Sequence, residues 1–83
     1  MNLKVLYFAS IRETIGLAQE SVQTNTKTVG ELRVELAQRG DLYKEALSSD
    51  KVIRTALNQN MCFESEQLIE GAEVAFFPPV TGG

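Results

Sequence analysis

The chain has 83 residues, 43% of them hydrophobic and 23% charged, which suits one small domain with a single compact core. Its net charge of −3 does not indicate binding to nucleic acid, and an acidic surface instead suits a partner with basic patches. One cysteine excludes an internal disulfide, and the absence of histidine removes the side chain whose pKa lies nearest neutrality. The composition therefore argues against an enzyme that acts alone.

No segment has the pattern of a secretion signal or a membrane-spanning helix, because the apolar start is short and no long apolar run follows. Metal-ligand spacings and glycine-rich phosphate loops are also absent from the sequence. We therefore expect a cytoplasmic protein that itself binds no metal, cofactor, nucleic acid or membrane.

The first predicted element is a β-strand near the amino terminus. Apolar residues alternate along one face of it: Leu3, Val5, Tyr7 and Ala9. The other face becomes apolar only at Leu6 and Phe8, which indicates a central position in the sheet. The pattern favours Phe8 as a core residue, with a contact-surface role as the alternative.

A short helix and a weak strand are predicted next. Ser10 and Glu13 have capping-box spacing, so we expect Ser10 to be the N-cap, and Gly16 suits the helix end. Arg12 is either a solvated charge or a partner contact, and the pattern leaves both open. Residues 18–24 alternate weakly, which predicts an edge strand antiparallel to the first.

The main helix is predicted to begin after Thr28, which forms a second capping box with Glu31. Its apolar face comprises Val29, Leu32, Leu36 and Ala37, and its polar face comprises Glu31, Arg33, Glu35, Gln38 and Arg39. The spacing of Glu35 and Arg39 predicts an ion pair, and Gly40 is expected to end the helix in the left-handed conformation.

The second half of the chain predicts a further short helix and three strands. Asp41 is expected to cap the helix, which ends before residues 48–50. Strands are predicted over residues 52–57 and 61–63, joined by a turn at residues 58–60, where asparagine tolerates positive φ.

The final strand, residues 74–77, is apolar at four successive positions, which is typical of the middle of a sheet. Pro78 and Pro79 end the strand because neither has an N–H to donate. The chain closes on Gly82 and Gly83, and the four residues after Pro79 can reach roughly 13 Å when extended. We expect a thin tail that ends in a free carboxylate.

Two central terminal strands and one main helix fit together if the terminal strands lie side by side and parallel, with the helix in the crossover. That arrangement is an α+β fold, the β-grasp (ubiquitin-like) mixed sheet with the main helix packed across it. We expect the domain to comprise residues 1–77, with residues 78–83 as its extended tail.

The sequence resembles the small subunit of molybdopterin synthase over essentially its whole length. Residues 71–83 resemble the C-terminal signature of that family, and residues 5–13 resemble its first strand and short helix. Residues 57–59 resemble its mid-chain strand end. The ending Phe-Phe-Pro-Pro-Val-Thr-Gly-Gly is more specific than the terminal Gly-Gly, which all ubiquitin-like carriers share.

The resemblance implies a sulfur carrier for molybdenum cofactor biosynthesis that is not catalytic alone. A partner adenylyltransferase would use ATP to activate the carboxylate of Gly83, and sulfur from a sulfurtransferase would convert it to a thiocarboxylate. The carrier would dock on the large synthase subunit, within a heterotetramer, and donate sulfur there to a cyclic pyranopterin phosphate.

The resemblance also implies the site residues. Gly83 would carry the reactive group, and the inserted tail would comprise Pro78, Pro79, Val80, Thr81 and Gly82. The partner-binding face would include Phe8, Arg12, Met61 and Phe77. The chain departs from the family at Ala72, where an acidic residue is frequent, so its charge near the tail is less negative.

Three alternatives are kept beside this hypothesis. A thiamine-type sulfur carrier shares the fold and tail chemistry, although residues 76–81 argue against it. A ubiquitin-like tag or a plain binding module would also have this fold. A free-standing enzyme is disfavoured by the missing histidine and ligand clusters.

Overall fold

The computed structural model describes residues 1–79, and within them five strands form one mixed sheet. The elements in chain order are β1 Asn2–Tyr7, α1 Ala9–Ile15, β2 Gln19–Gln23, α2 Val29–Ala37, α3 Asp41–Leu47, β3 Arg54–Leu57, β4 Asn60–Cys62 and β5 Glu73–Phe77. The strand order is β2-β1-β5-β3-β4, with β1 and β5 parallel and the other pairs antiparallel. This arrangement confirms the predicted β-grasp fold and its adjacent terminal strands.

One face of the sheet is covered by the helices and forms the core. On β1 and β5 the buried residues of this face pair directly across the sheet, Val5 with Val74 and Tyr7 with Phe76. The rings of Tyr7 and Phe76 stack with centroids 6.4 Å apart. The helices complete the core with Ile11, Ile15, Val29, Leu32, Leu36, Ala46 and Leu47. The opposite face of the sheet points away from the helices.

The cap of α2 is confirmed, with one change of partner. The hydroxyl of Thr28 accepts a 3.2 Å hydrogen bond from the backbone N–H of Glu31. The carboxylate of Glu31 accepts from the N–H of Lys27 at 2.8 Å, one residue before the cap. The two bonds together fix the start of the main helix.

The predicted Ser10 cap of α1 is wrong. The helix already includes Ala9, and its N-cap is Phe8, with no side-chain cap hydrogen bond. The Phe8 carbonyl accepts from the N–H groups of Ile11 and Arg12, so the helix begins two residues earlier than the motif suggested. The helix end is confirmed, since Gly16 has a φ of 90° and donates to the Arg12 carbonyl at 2.7 Å.

Gly40 does not end the main helix in the left-handed conformation. α2 finishes at Ala37 with Gln38 as its C-cap, and Gly40 is extended at a φ of 169° as the N-cap of α3. Asp41 is therefore the first residue of α3 rather than its cap. The link between the two helices is too short to hold both a helix stop and a separate cap.

The hairpin of β3 and β4 confirms the predicted turn and corrects its flanks. Asn58 and Gln59 have positive φ values of 50° and 70°, as the strand-joining turn requires. β3 begins at Arg54, two residues later than predicted, and β4 ends before Phe63, which is exposed. β4 has only three residues and lies at the edge of the sheet, where short strands are common.

Arg33 was predicted on the solvent side of α2 and is instead buried, with 6% of its surface exposed. Its guanidinium donates to the carbonyl oxygens of Leu47, Ser48 and Lys51 at 2.6–2.8 Å. It also forms a 2.5 Å salt bridge with Glu64. These contacts hold the segment after α3 and the loop after β4 against the main helix.

The predicted ion pair between Glu35 and Arg39 is not formed. Glu35 accepts a hydrogen bond from the Thr24 hydroxyl, and Arg39 forms a 3.0 Å salt bridge with Glu20 of β2. Tertiary partners thus displace the pairing that the helix alone would favour.

The Glu20 carboxylate joins β2 to β1 and α3. It accepts hydrogen bonds from the hydroxyls of Tyr7 and Tyr43, both at 2.8 Å. Burial, followed by the hydrogen bond and charge of Glu20, raises the pKa of both tyrosines above the ordinary value of 10.0. Each hydroxyl therefore stays protonated in the folded protein at a pH where it ionises in the unfolded chain.

Replacing Tyr7 by phenylalanine is expected to change the alkaline stability profile. The raised pKa of Tyr7 means that its stabilising effect is complete below pH 10.0 and declines as the pH rises above that value, by up to about 1.4 kcal/mol per pH unit. Tyr7→Phe should cost about 1–2 kcal/mol at neutral pH through the lost hydrogen bond to a carboxylate. Its unfolding free energy should then fall less steeply above pH 10.0 than that of the wild type. Chemical denaturation across this range is the measurement, and parallel profiles would contradict the assignment.

Candidate functional site

The sheet face that points away from the helices, called the open face here, carries an apolar row across four strands. Strand register places Leu6 beside Ala75, Ala75 beside Ala56, and Ala56 beside Met61. Met61, at the edge of the sheet, is 62% exposed. Leu6 is half-buried and Ala56 and Ala75 are buried, so Met61 supplies most of the exposed apolar surface of this row.

An aromatic pair lies beside this row, two residues further along the chain from Leu6 and Ala75, where β5 ends. The rings of Phe8 and Phe77 meet edge to face with centroids 6.2 Å apart and an interplanar angle of 87°. Phe8 is 44% exposed, so the interpretation of Phe8 as a plain core residue is wrong. Its side chain follows Tyr7 by one position and therefore falls on the open face. The alternative, a surface contact, fits its position.

Three of the residues predicted to bind a partner lie together on the open face: Phe8, Met61 and Phe77. The fourth, Arg12, is an exposed residue of α1, one helical turn after Phe8. The structure thus gathers Phe8, Arg12 and Phe77 at one end of the sheet and places Met61 on its far edge. Their binding role stays a prediction.

Two further residues of this surface were not predicted from the sequence. Leu6 belongs to the apolar row, and Arg54 lies directly across from Phe77 on β3. Arg54 is exposed, and strand alternation turns its side chain to the open face because Thr55 points into the core. The pairing of strands that are distant in sequence brings these residues together, and the sequence pattern does not show which strands pair.

The tail leaves the domain from the middle of the sheet. β5 lies between β1 and β3, and the N–H of Phe8 donates to the carbonyl of Phe76 at 3.1 Å. Pro78 and Pro79 follow at once and are half-buried. The predicted tail residues Val80, Thr81, Gly82 and Gly83 lie outside the described residues.

Residues 1–79 hold neither a metal cluster nor a membrane-spanning helix. No group of three His, Cys, Asp or Glu side chains is arranged to hold a metal ion there. None of the helices in that range has the length and apolar composition to cross a membrane.

The fold and the exposed end of the sheet define a small ubiquitin-like protein with a C-terminal tail. The model of the ThiS family matches residues 5–83, and the chain belongs to this family. The molybdopterin synthase sulfur carrier subunit of Escherichia coli (strain K12) is 42% identical over 81 residues, which cover 98% of this chain and 99% of that protein. Its counterpart from Haemophilus influenzae is 41% identical with the same coverage.

Solved structures agree with this assignment. A complex of subunits 1 and 2 of the molybdopterin-converting factor from Helicobacter pylori 26695 contains a chain that is 30% identical, with a TM-score of 0.69 and full coverage of both chains. SAMP1 from Haloferax volcanii matches with a TM-score of 0.77 and 26% identity, again over both whole chains. The resemblance to the small subunit of molybdopterin synthase is confirmed.

Alanine substitutions at Tyr7 and Phe8 should show by their different costs in stability which residue lies in the core and which on the open face. Tyr7 is 1% exposed and Phe8 is 44% exposed, although they adjoin in the chain. Tyr7→Ala is expected to cost about 3–5 kcal/mol through the cavity it leaves, and Phe8→Ala about 1 kcal/mol through the lost aromatic contact. Urea denaturation measures both. Equal losses would show that Phe8 belongs to the core.

Proposed function

We propose that this protein is the sulfur carrier subunit of a molybdopterin synthase. Its C-terminal Gly83 is adenylylated, converted to a thiocarboxylate and inserted into the large synthase subunit, where the sulfur passes to a cyclic pyranopterin phosphate. Two such donations supply the two sulfur atoms of the dithiolene. The names of relatives that are 41–42% identical over nearly the whole chain support this assignment.

The observation that carries the proposal is the place where the chain leaves the sheet. β5 is paired on both sides, so the tail begins from a fixed central strand beside the Phe8–Phe77 pair. Pro78 and Pro79 restrict the backbone immediately after this strand. A restricted tail base loses less conformational entropy when the tail enters a cavity, which favours insertion.

The residue types of the tail fit acyl chemistry at its end. A carboxylate resists nucleophiles, so ATP is needed to convert it to an acyl-adenylate, and sulfur attack at the carbonyl carbon then releases AMP. Gly83 has no Cβ to obstruct that attack. Gly82 lets the backbone pass a narrow channel with any φ that the channel requires. This chain supplies the carrier carboxylate, and its partners supply the catalysis.

The open face supports docking on the large subunit. The related Helicobacter pylori chain was solved in a complex of the two subunits, and we propose the same kind of partner here. Phe8 and Met61 are apolar side chains exposed to solvent, Phe77 is half-buried beside Phe8, and burying all three would stabilise the complex. We further propose a heterotetramer, loading by an adenylyltransferase and a sulfurtransferase, and a cytoplasmic location, where ATP is available.

One alternative keeps some support from the comparisons. The related Haloferax volcanii protein is named a small archaeal modifier protein, which suits a tag joined to other proteins. A tag would appear in cells as higher-mass conjugates of this chain. A sulfur carrier would instead cycle between a carboxylate and a thiocarboxylate of the unconjugated protein.

Removing Gly83, or adding one alanine after it, is expected to abolish sulfur transfer. Deletion moves the terminal carboxylate about 3.5 Å back along an extended tail. Addition converts the Gly83 carboxylate to an amide and moves the terminal carboxylate about 3.5 Å forward. The assay is production of molybdopterin by the reconstituted synthase with its adenylyltransferase, sulfur source and ATP. Transfer at the wild-type rate by either variant would refute the tail mechanism.

Thermal denaturation is the control for both variants. Gly83 lies six residues beyond the end of β5, so neither change touches the core, and the melting temperature should stay within a degree or two of the wild type. Both variants should still bind the large subunit through the open face. Loss of transfer with folding and binding retained assigns the defect to the acyl terminus.

A further inference from the structure

Two arginines lie near the Phe8–Phe77 pair. Arg54 is the cross-strand neighbour of Phe77 on β3, with its exposed side chain on the open face. Arg12 is exposed on α1, one helical turn after Phe8. The base of the tail therefore has cations nearby, although the chain as a whole carries a net charge of −3.

These two arginines differ from the others in the chain. Arg33 forms a salt bridge with Glu64, and Arg39 forms one with Glu20. Among residues 1–79, neither Arg12 nor Arg54 makes a salt bridge or a side-chain hydrogen bond. Two of the four arginines thus serve the fold of the protein, whereas the side chains of Arg12 and Arg54 have no anionic partner within residues 1–79.

Nearby carboxylates do not neutralise this end of the sheet. Glu64 and Glu66 line a groove together with Arg54, but Glu64 is held by Arg33, and Glu66 forms no salt bridge with Arg54 in the described part of the chain. Glu13 adjoins Arg12 in sequence and is exposed. Along the open face, Glu73 lies at the opposite end, beside Lys4.

A guanidinium without a salt bridge to residues 1–79, beside a partly exposed aromatic pair, is well suited to an interface. Burying the Phe8–Phe77 pair against another protein would also remove water from the neighbouring Arg54, and a desolvated guanidinium requires an anionic partner. Arginine pairs with carboxylates through two parallel hydrogen bonds, which fix orientation as well as adding affinity.

We infer that Arg54, together with Arg12, binds carboxylates of the large synthase subunit at the rim of the cavity that accepts the tail. This inference rests on the proposed function and names the charge of the partner surface. The two cations steer the partners together and orient the tail toward the cavity.

The length of the tail favours protein carboxylates at the cavity entrance, rather than a substrate phosphate at the end of the tail, as the partners of these cations. Gly83 is six residues beyond Phe77, and six extended residues span about 20 Å. A nucleotide or pterin phosphate at the end of an inserted tail is therefore far from Arg54. Protein groups around the cavity entrance are the anions within its reach.

The test measures association of the full-length protein with the large synthase subunit of the same organism at several ionic strengths. At about 50 mM ionic strength, Arg54→Glu should lower the association rate constant about tenfold, and Arg54→Gln about threefold. At about 0.5 M salt the difference should shrink below twofold because screening removes the long-range attraction. Arg54→Lys should keep most of the wild-type rate.

The matched control is Lys44→Glu, which makes the same charge change at an exposed position of α3, away from the open face. It should stay within twofold of the wild type at every ionic strength. A steric or folding defect in Arg54→Glu would instead lower the rate equally at low and high salt, and that result would overturn the inference.

Three further outcomes separate the inference from the proposed function. If the wild type binds the large subunit and transfers sulfur while Arg54→Glu associates equally fast at low salt, the inference is wrong and the proposed function stands. If Arg54→Glu slows adenylylation of Gly83 and leaves association unchanged, the cations serve the activating enzyme and the inference is again wrong. If the wild type neither binds the large subunit nor transfers sulfur, both the proposed function and the inference are wrong.

Discussion

The parallel pairing of β1 with β5 is the constraint on which the other features depend. It joins the two ends of the domain through buried side chains, Val5 against Val74 and Tyr7 against Phe76, and places β5 in the middle of the sheet. A strand held from both sides cannot fray as a terminal segment at a sheet edge does. The fixed end of β5 in turn gives the tail a defined origin and direction.

The alternation of side chains along the same two strands separates stability from recognition. One face of β1 and β5 supplies the aromatic core under the helices, and the other face supplies the apolar row and the Phe8–Phe77 pair. A partner can therefore cover the open face without disturbing the core. The tail base, the aromatic pair and Arg54 lie at one end of that face, which suits the proposed docking and tail insertion.

The sequence predicted the strands, the parallel terminal pair and the Thr28 cap, because hydrophobic period and capping motifs are local signals. It placed Arg33 on the solvent side and paired Arg39 with Glu35. Both predictions failed because the true partners of these arginines come from segments distant in sequence. It also took Phe8 for core, because a strand pattern does not show which face the helices cover. The resemblance found Phe8, Met61 and Phe77, whereas Arg54 emerged only with the strand register.

The proposed function requires the C-terminal carboxylate of this chain to carry sulfur. The intact mass of the protein, purified from cells that contain the loading enzymes but lack the large subunit, tests this, with fragmentation to locate any added mass. A sulfur carrier gives a species heavier by the difference between sulfur and oxygen, with that difference on Gly83. The carboxylate form alone, in cells lacking the large subunit but containing the loading enzymes, or Gly83 joined to lysines of other proteins, would contradict it.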